Sequence, residues 1–144
     1  EMTTVRQLLE GKSPEVFAVG PESAVIDAIR LMAEKSIGAV VVMEGGRLAG
    51  ILSERDYARK VVLHDRSSST TLVREIMTAK VVTVAPSEQV EHCLQLVTDF
   101  RIRHLPVVEG GSVIGVISIG DLVKSVIDEQ AQKLDQLQQY IVAG

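Results

Sequence analysis

The sequence predicts an α+β fold in which two tandem β-α-β-β-α units pack about a pseudo-twofold axis and an amphipathic C-terminal helix follows. Three observations lead there. The chain repeats itself: Phe17 to Val62 aligns without a gap on Val82 to Ile127, an offset of 65 residues, and repetition at a fixed period marks an architecture of stacked like units. Each copy carries paired glycines between two β-branched runs, Gly45-Gly46 and Gly110-Gly111, a hairpin signal because primed turns need positive φ. The chain has 144 residues, 46% of them hydrophobic but only 3% aromatic, so two half-size units with aliphatic cores must share burial that neither achieves alone.

Within the aligned block Val19, Pro21, Val25, Leu31, Ile37, Val42, Gly50, Ser53 and Asp56 each meet the same residue type in the second copy. The leading pieces Val5 to Leu9 and Val73 to Met77 correspond at an offset of 68, so the first unit carries three extra residues near Glu10 to Pro14. This divides the chain into a first unit (1–63), a Ser/Thr-rich linker (64–72), a second unit (73–127) and a tail (128–144).

Each unit reads alike. Val16 to Val19 and Val81 to Val84 are short β-prone runs closed by Gly20-Pro21 and Ala85-Pro86. A helix follows in each, because Val25, Ala28, Ile29 and Met32 fall at i, i+3, i+4 and i+7, and Val90, Cys93, Leu94 and Val97 repeat that spacing. Ser23 and Ser87 are the expected N-caps. Hairpin strands are expected at Ala39 to Met43 with Leu48 to Leu52, and at Leu105 to Val108 with Val113 to Ile117. Their near-continuous apolar character implies burial on both faces. A closing helix opens at Ser53 or Ser118, and the tail places Leu134, Leu137 and Ile141 at i, i+3 and i+7.

The net charge of −4 leaves no global field that would draw the chain to nucleic acid or an anionic membrane. Apolar runs such as Gly38 to Met43 are far shorter than a membrane span, and no secretory signal pattern opens the chain, so a cytoplasmic location is expected. The single cysteine, Cys93, excludes an intrachain disulfide and sits on an apolar helix stripe, where a buried thiol is expected. An enzyme finds no support: there is no Walker-type loop, no nucleophile elbow and no metal-spaced set among His64, His92 and His104.

The sharpest motif is Gly50-Ile51-Leu52-Ser53-Glu54-Arg55-Asp56, repeated as Gly115-Val116-Ile117-Ser118-Ile119-Gly120-Asp121. Ser followed by Asp three residues on forms a capping box at a helix start. The same groups could receive a phosphate on free N–H groups while the acceptor-only Asp takes the hydroxyls of a ribose, which requires an open cleft. The second motif is Arg101-Ile102-Arg103-His104-Leu105-Pro106 at a strand entry. Its apolar members enter the core, so its cations emerge at the layer edge, where a guanidinium suits phosphate. Pro106 lacks an N–H and blocks one ladder bond.

The 65-residue repeat, the β-α-β-β-α order, the Gly-Gly hairpins, the duplicated Gly-φ-φ-Ser-x-x-Asp motif and Arg-His-Leu-Pro together resemble the cystathionine-β-synthase (CBS) domain family, over about Val5 to Ile127. The resemblance, to tandem pairs of the bacterial stand-alone type, implies one closed module whose two clefts accept AMP foremost, or ADP, ATP, NADH or S-adenosylmethionine, with no catalytic cofactor. It further implies that Asp121 holds the ribose, Ser118 with the N–H groups of Ile119 and Gly120 the phosphate, and Arg103 and His104 further phosphate oxygens, while Pro106, Val82 and Thr83 line the adenine slot. In the first unit the equivalents are Asp56, Ser53 and the strand near Phe17. There Gly38 and Ala39 replace Arg103 and His104, so weaker phosphate binding is expected unless Arg55 reaches in. The implied function is a nucleotide sensor that forms at least a homodimer, with an effector partner the sequence does not name; a ligand-independent dimerisation module is the alternative.

Overall fold

The computed structural model describes residues 3–143. In chain order the elements are α1 (Val5–Glu10), β1 (Ala18–Val19), α2 (Val25–Lys35), β2 (Ala39–Glu44), β3 (Arg47–Ser53), α3 (Glu54–Lys60), a 3₁₀ turn (Val62–His64), α4 (Val73–Ile76), α5 (Val90–Asp99), β4 (His104–Glu109), β5 (Ser112–Ser118) and α6 (Ile119–Ala143). β1 pairs in parallel with β2, and β2 pairs antiparallel with β3. The second sheet is the β4-β5 hairpin.

The expected strand over Val81 to Val84 shrinks to a single parallel bridge between Val84 and Val107. Pro106 is the reason. In the first unit Val41 donates its N–H to the Phe17 carbonyl at 3.2 Å. The equivalent bond in the second unit would come from Pro106, which has no N–H to give. Only the flanking bonds survive, from Val84 N to Pro106 O and from Val108 N to Val84 O.

Both hairpins turn on glycines with positive φ, 56° and 76° at Gly45 and Gly46 and 59° and 80° at Gly110 and Gly111, the sign a primed turn demands. Both also carry a register shift at equivalent places, Val42/Met43 and Val107/Val108. Val40, Val41 and Val42 are all buried, as are Leu105, Pro106 and Val107, so these strands are covered on both faces.

α2 and α5 bury the stripes Val25, Ala28, Met32 and Val90, Cys93, Val97. Their caps differ from expectation: Ala24 and Gln89 occupy the N-cap positions with no side-chain bond. The freed N–H groups are satisfied by main chain instead, Val25 N by Thr71 O, Ile26 N by Ser68 O and Val90 N by Thr3 O. Ser23 turns away and accepts from Gly20 N.

Those bonds reveal an exchange. α1, which opens the first unit, lies in the second unit's core: Val5 is fully buried among Val84, Val90, Cys93, Leu105 and Leu122, with Leu8 and Leu9 against them. α4, which opens the second unit, supplies Val73 and Ile76 to the first unit's core beside Val25, Met32, Val40 and Leu52. The motif glycines mark where the exchanged segments dock. A Cβ on Gly50 would stand 2.7 Å from Met77 Sδ and 2.9 Å from the Thr78 carbonyl, and one on Gly115 would meet Leu9 Cδ2 at 2.7 Å. Thr78 is fixed by its pair of bonds with Ile51, whereas the Leu9 side chain can rotate. Gly50→Ala is therefore expected to destabilise by about 1–3 kcal/mol and Gly115→Ala by less, a difference that paired thermal melts read directly.

The second unit's closing helix and the tail are one continuous helix, α6, without a break near residue 128. Its first turns pack on α5. No described helix is long and apolar enough to cross a membrane.

Candidate functional site

Two clefts open between the units, and the units contribute to them crosswise. The first, of about 600 Å³, joins Ser53, Arg55 and Asp56 of the first unit to Val82, Arg103, His104 and Ile119 of the second. The second, of about 450 Å³, joins Ser118 and Asp121 of the second unit to Phe17, Gly38 and Ala39 of the first. Both volumes suit a small-molecule ligand. The sequence reading grouped Asp121 with the basic strand entry of its own unit, Arg103 and His104, and Asp56 with the strand near Phe17. The structure separates them: Arg103 faces the Asp56 cleft, and Gly38, His104 and Ser118 border both clefts. The cause is that each closing helix starts where it faces the other unit's first strand across a cleft, Ser53 opposite Val82 and Ser118 opposite Phe17, an arrangement no single repeat encodes.

At each helix start the capping box is formed. Ser53 Oγ accepts from Asp56 N at 3.2 Å while Asp56 Oδ2 accepts from Ser53 N at 3.0 Å. Ser118 and Asp121 repeat this at 3.1 and 2.8 Å. Capping and an open cleft thus coexist, with Asp56 lining the first cleft and Asp121 the second. Lys60 pairs with Asp56 Oδ1 at 3.2 Å. Asp121 is met by Lys12, whose Nζ donates to Oδ2 at 2.6 Å and to the Val116 carbonyl at 2.8 Å. Burial raises the Asp121 carboxyl, but the Lys12 ammonium and the Ser118 N–H outweigh it and hold the group below its ordinary pKa.

The electrostatics of the clefts differ sharply. The first is lined by Arg55, Arg59, Lys60, Lys80, Arg101 and Arg103 against Glu54 and Asp56. The second has Lys12 and Lys35 against Glu15 and Asp121. Arg55 is held across the unit boundary, its Nη1 donating to the Arg101 carbonyl at 3.3 Å. Arg101 and its counterpart Ser36 share a left-handed backbone, with φ of 54° and 55°. His104 fills the boundary because position 38 is glycine: a Cβ there would lie 3.2 Å from His104 Nε2 and from Glu54 Oε1. Burial pushes His104 below its ordinary pKa; Asp121 opposes this, and Lys12 and Arg103 add to it.

Three expected site residues lie outside both linings. Thr83 is exposed, Pro106 is buried within β4, and Gly120 is exposed on the first turn of α6. Conversely, Lys12, Arg59, Lys60 and Lys80 line the clefts and were not among the expected residues. Arg55 and Arg59 stand four apart on α3, a spacing that marks one face. Lys12 sits in the three-residue insertion, which the repeat comparison exposes but cannot place. No group of three or more His, Cys, Asp or Glu able to hold a metal occurs among the described residues, and buried Cys93 has its thiol pushed up to about 11 by burial, with Glu88 adding.

The family model of the CBS domain matches residues 5–63 and again residues 73–128. The chain belongs to the CBS domain family, as a tandem pair. A CBS domain-containing mitochondrial protein of Arabidopsis thaliana, CBSX3, is 39% identical over 153 residues, spanning all of this chain and 74% of that one. A solved CBS-domain protein from Burkholderia ambifaria is 56% identical with a TM-score of 0.86, over 89% of this chain and 96% of that one. The CBS pair of protein MJ0100, solved with 5′-methylthioadenosine and S-adenosyl-L-methionine, shares the fold at 21% identity and a TM-score of 0.78, over 90% of this chain and 99% of that one.

Proposed function

We propose that this CBS pair is a cytoplasmic regulatory module, without catalysis of its own, that senses an adenine nucleotide in the Asp56 cleft. The observation that carries the reading is the segregation of charge: six cations against two acids line one cleft of a chain whose net charge is −4, while the other cleft balances two against two. A phosphate-bearing ligand gains most where guanidinium groups converge. Asp56, which the Ser53 N–H already orients, takes the ribose hydroxyls. Val82 and Ile102 offer apolar walls to a base, and the phosphates of AMP, ADP or ATP, or of NADH, face Arg103, Arg101 and Arg55. The neutral Asp121 cleft suits an adenosyl ligand without phosphate, such as S-adenosylmethionine; the ligands of the MJ0100 pair belong to that class. The ranking of the two clefts is thereby the reverse of the one the repeat comparison implies. The long exposed stretch of α6 favours a second, compatible reading, that the chain also assembles as at least a homodimer.

Saturating AMP at about 100 times its dissociation constant is expected to stabilise the protein by about 2.7 kcal/mol, visible as a rise in melting temperature. Asp56→Asn retains an acceptor for the cap but loses the charge, so calorimetry is expected to show AMP affinity falling by about tenfold, corresponding to about 1.4 kcal/mol, with Asp121→Asn changing it little. No thermal shift with AMP, or an Asp56→Asn protein that binds AMP as the parent does, rejects the assignment.

A further inference from the structure

α6 has 25 residues and so runs for about 37 Å. Beyond Glu129 every residue through Val142 is exposed, so the second half of the helix stands off the body. Its continuity prevents the tail from folding back over its own module. Apart from Tyr140 and Val142 near its end, the exposed large apolar residues in the second half of the helix share one stripe. Val123, Ile127, Gln130, Leu134, Leu137 and Ile141 follow one another at steps of four, three, four, three and four, the alternating a/d spacing of a coiled-coil seam.

Assigned to heptads, Ile127, Leu134 and Ile141 occupy a, and Val123, Gln130 and Leu137 occupy d. The outermost f positions are Ser125, Gln132 and Gln139. Leu134, Leu137 and Ile141 are 58%, 60% and 74% exposed, and a lone amphipathic helix of this length gains too little from propensity to leave such a stripe in water. A lipid surface does not fit: after residue 127 the helix holds one lysine against Asp128, Glu129 and Asp135, whereas interfacial helices carry a basic polar face.

We propose that this stretch pairs with the same helix of a second copy as a parallel, in-register two-stranded coiled coil. β-Branched Ile127 and Ile141 at two of three a positions, with Leu137 at one of the three d positions, favour two strands. Gln130 sets the orientation. In parallel register it faces Gln130 of the other copy, where each amide satisfies the other; in the antiparallel alternative it would be buried unpaired against an aliphatic a residue. The pairing brings the two modules to the same end, with their clefts outside the seam, and it does not depend on which ligand those clefts hold.

Sedimentation of the full chain at micromolar concentration is expected to give a dimer, and Leu134→Glu with Leu137→Glu to give a monomer, a loss of at least ~100-fold in association with the melting of the body retained. Orientation is read separately by oxidation. Leu137→Cys is expected to form a disulfide-linked dimer and Gln132→Cys none; Cys93, fully buried, does not interfere. Persistence of the dimer in the double glutamate variant, a monomeric parent chain, or failure of Leu137→Cys to cross-link overturns the proposal.

Discussion

Arg103→Ala is expected to weaken AMP binding by at least about tenfold and adenosine binding by less than about twofold, because a guanidinium bond to phosphate contributes about 1.5–3 kcal/mol and adenosine has no phosphate to lose. Arg103 lines the Asp56 cleft beside His104 and is exposed, so its removal leaves the core intact and the comparison reports on the ligand alone. Isothermal titration with the two ligands in parallel checks it. Equal losses would take Arg103 out of the phosphate role. The same pair of titrations on Arg55→Ala is expected to show a smaller difference, since Arg55 already spends part of its donor capacity on the Arg101 carbonyl.

What could be read from the sequence is what one repeat encodes locally. The hairpin turns follow from Gly45-Gly46 and Gly110-Gly111 because only positive φ closes those loops, and the helix starts at Ser53 and Ser118 follow from side chains three residues apart. What eluded reading depends on long-range placement. Nothing near Ser23 or Ser87 says that the helix N–H groups beyond them will be met by main chain from Thr71 and Thr3. Similarly, Asp121 and Phe17 share a cleft although more than a hundred residues separate them, because the pseudo-twofold arrangement sets each helix start against the opposite unit. Lys12 eluded it for a related reason: an insertion has no counterpart from which its position could be inferred. The closing helix and the tail run on as one helix because polarity rises after Ile127 without any helix-breaking residue.

The exchange of leading helices makes a prediction that chain order alone would get backwards. Ile76 belongs to the segment that opens the second unit, yet it is 1% exposed within the first unit's core, beside Val25, Met32 and Leu52. Truncating a buried isoleucine to alanine removes apolar contact and leaves a partly unrelaxed cavity, at a cost of about 2–5 kcal/mol. That is a large share of a stability that for a small domain is about 5–15 kcal/mol. In Ile76→Ala the loss is expected to appear first at β2 and β3, where amides of Val40 to Val42 should exchange faster, while those of Leu105 and Val107 change less. Val5→Ala is the reciprocal experiment: Val5 opens the first unit but lies in the second core, so exchange should quicken first at β4 and β5. Native-state hydrogen exchange on the two variants distinguishes this from independent folding of each unit around its own leading helix, in which Ile76→Ala would loosen the second hairpin and Val5→Ala the first. Because both clefts are built crosswise between the units, loosening either core should also lower nucleotide affinity at the Asp56 cleft, since its walls, Ser53 on one side and Arg103 on the other, are anchored one in each core.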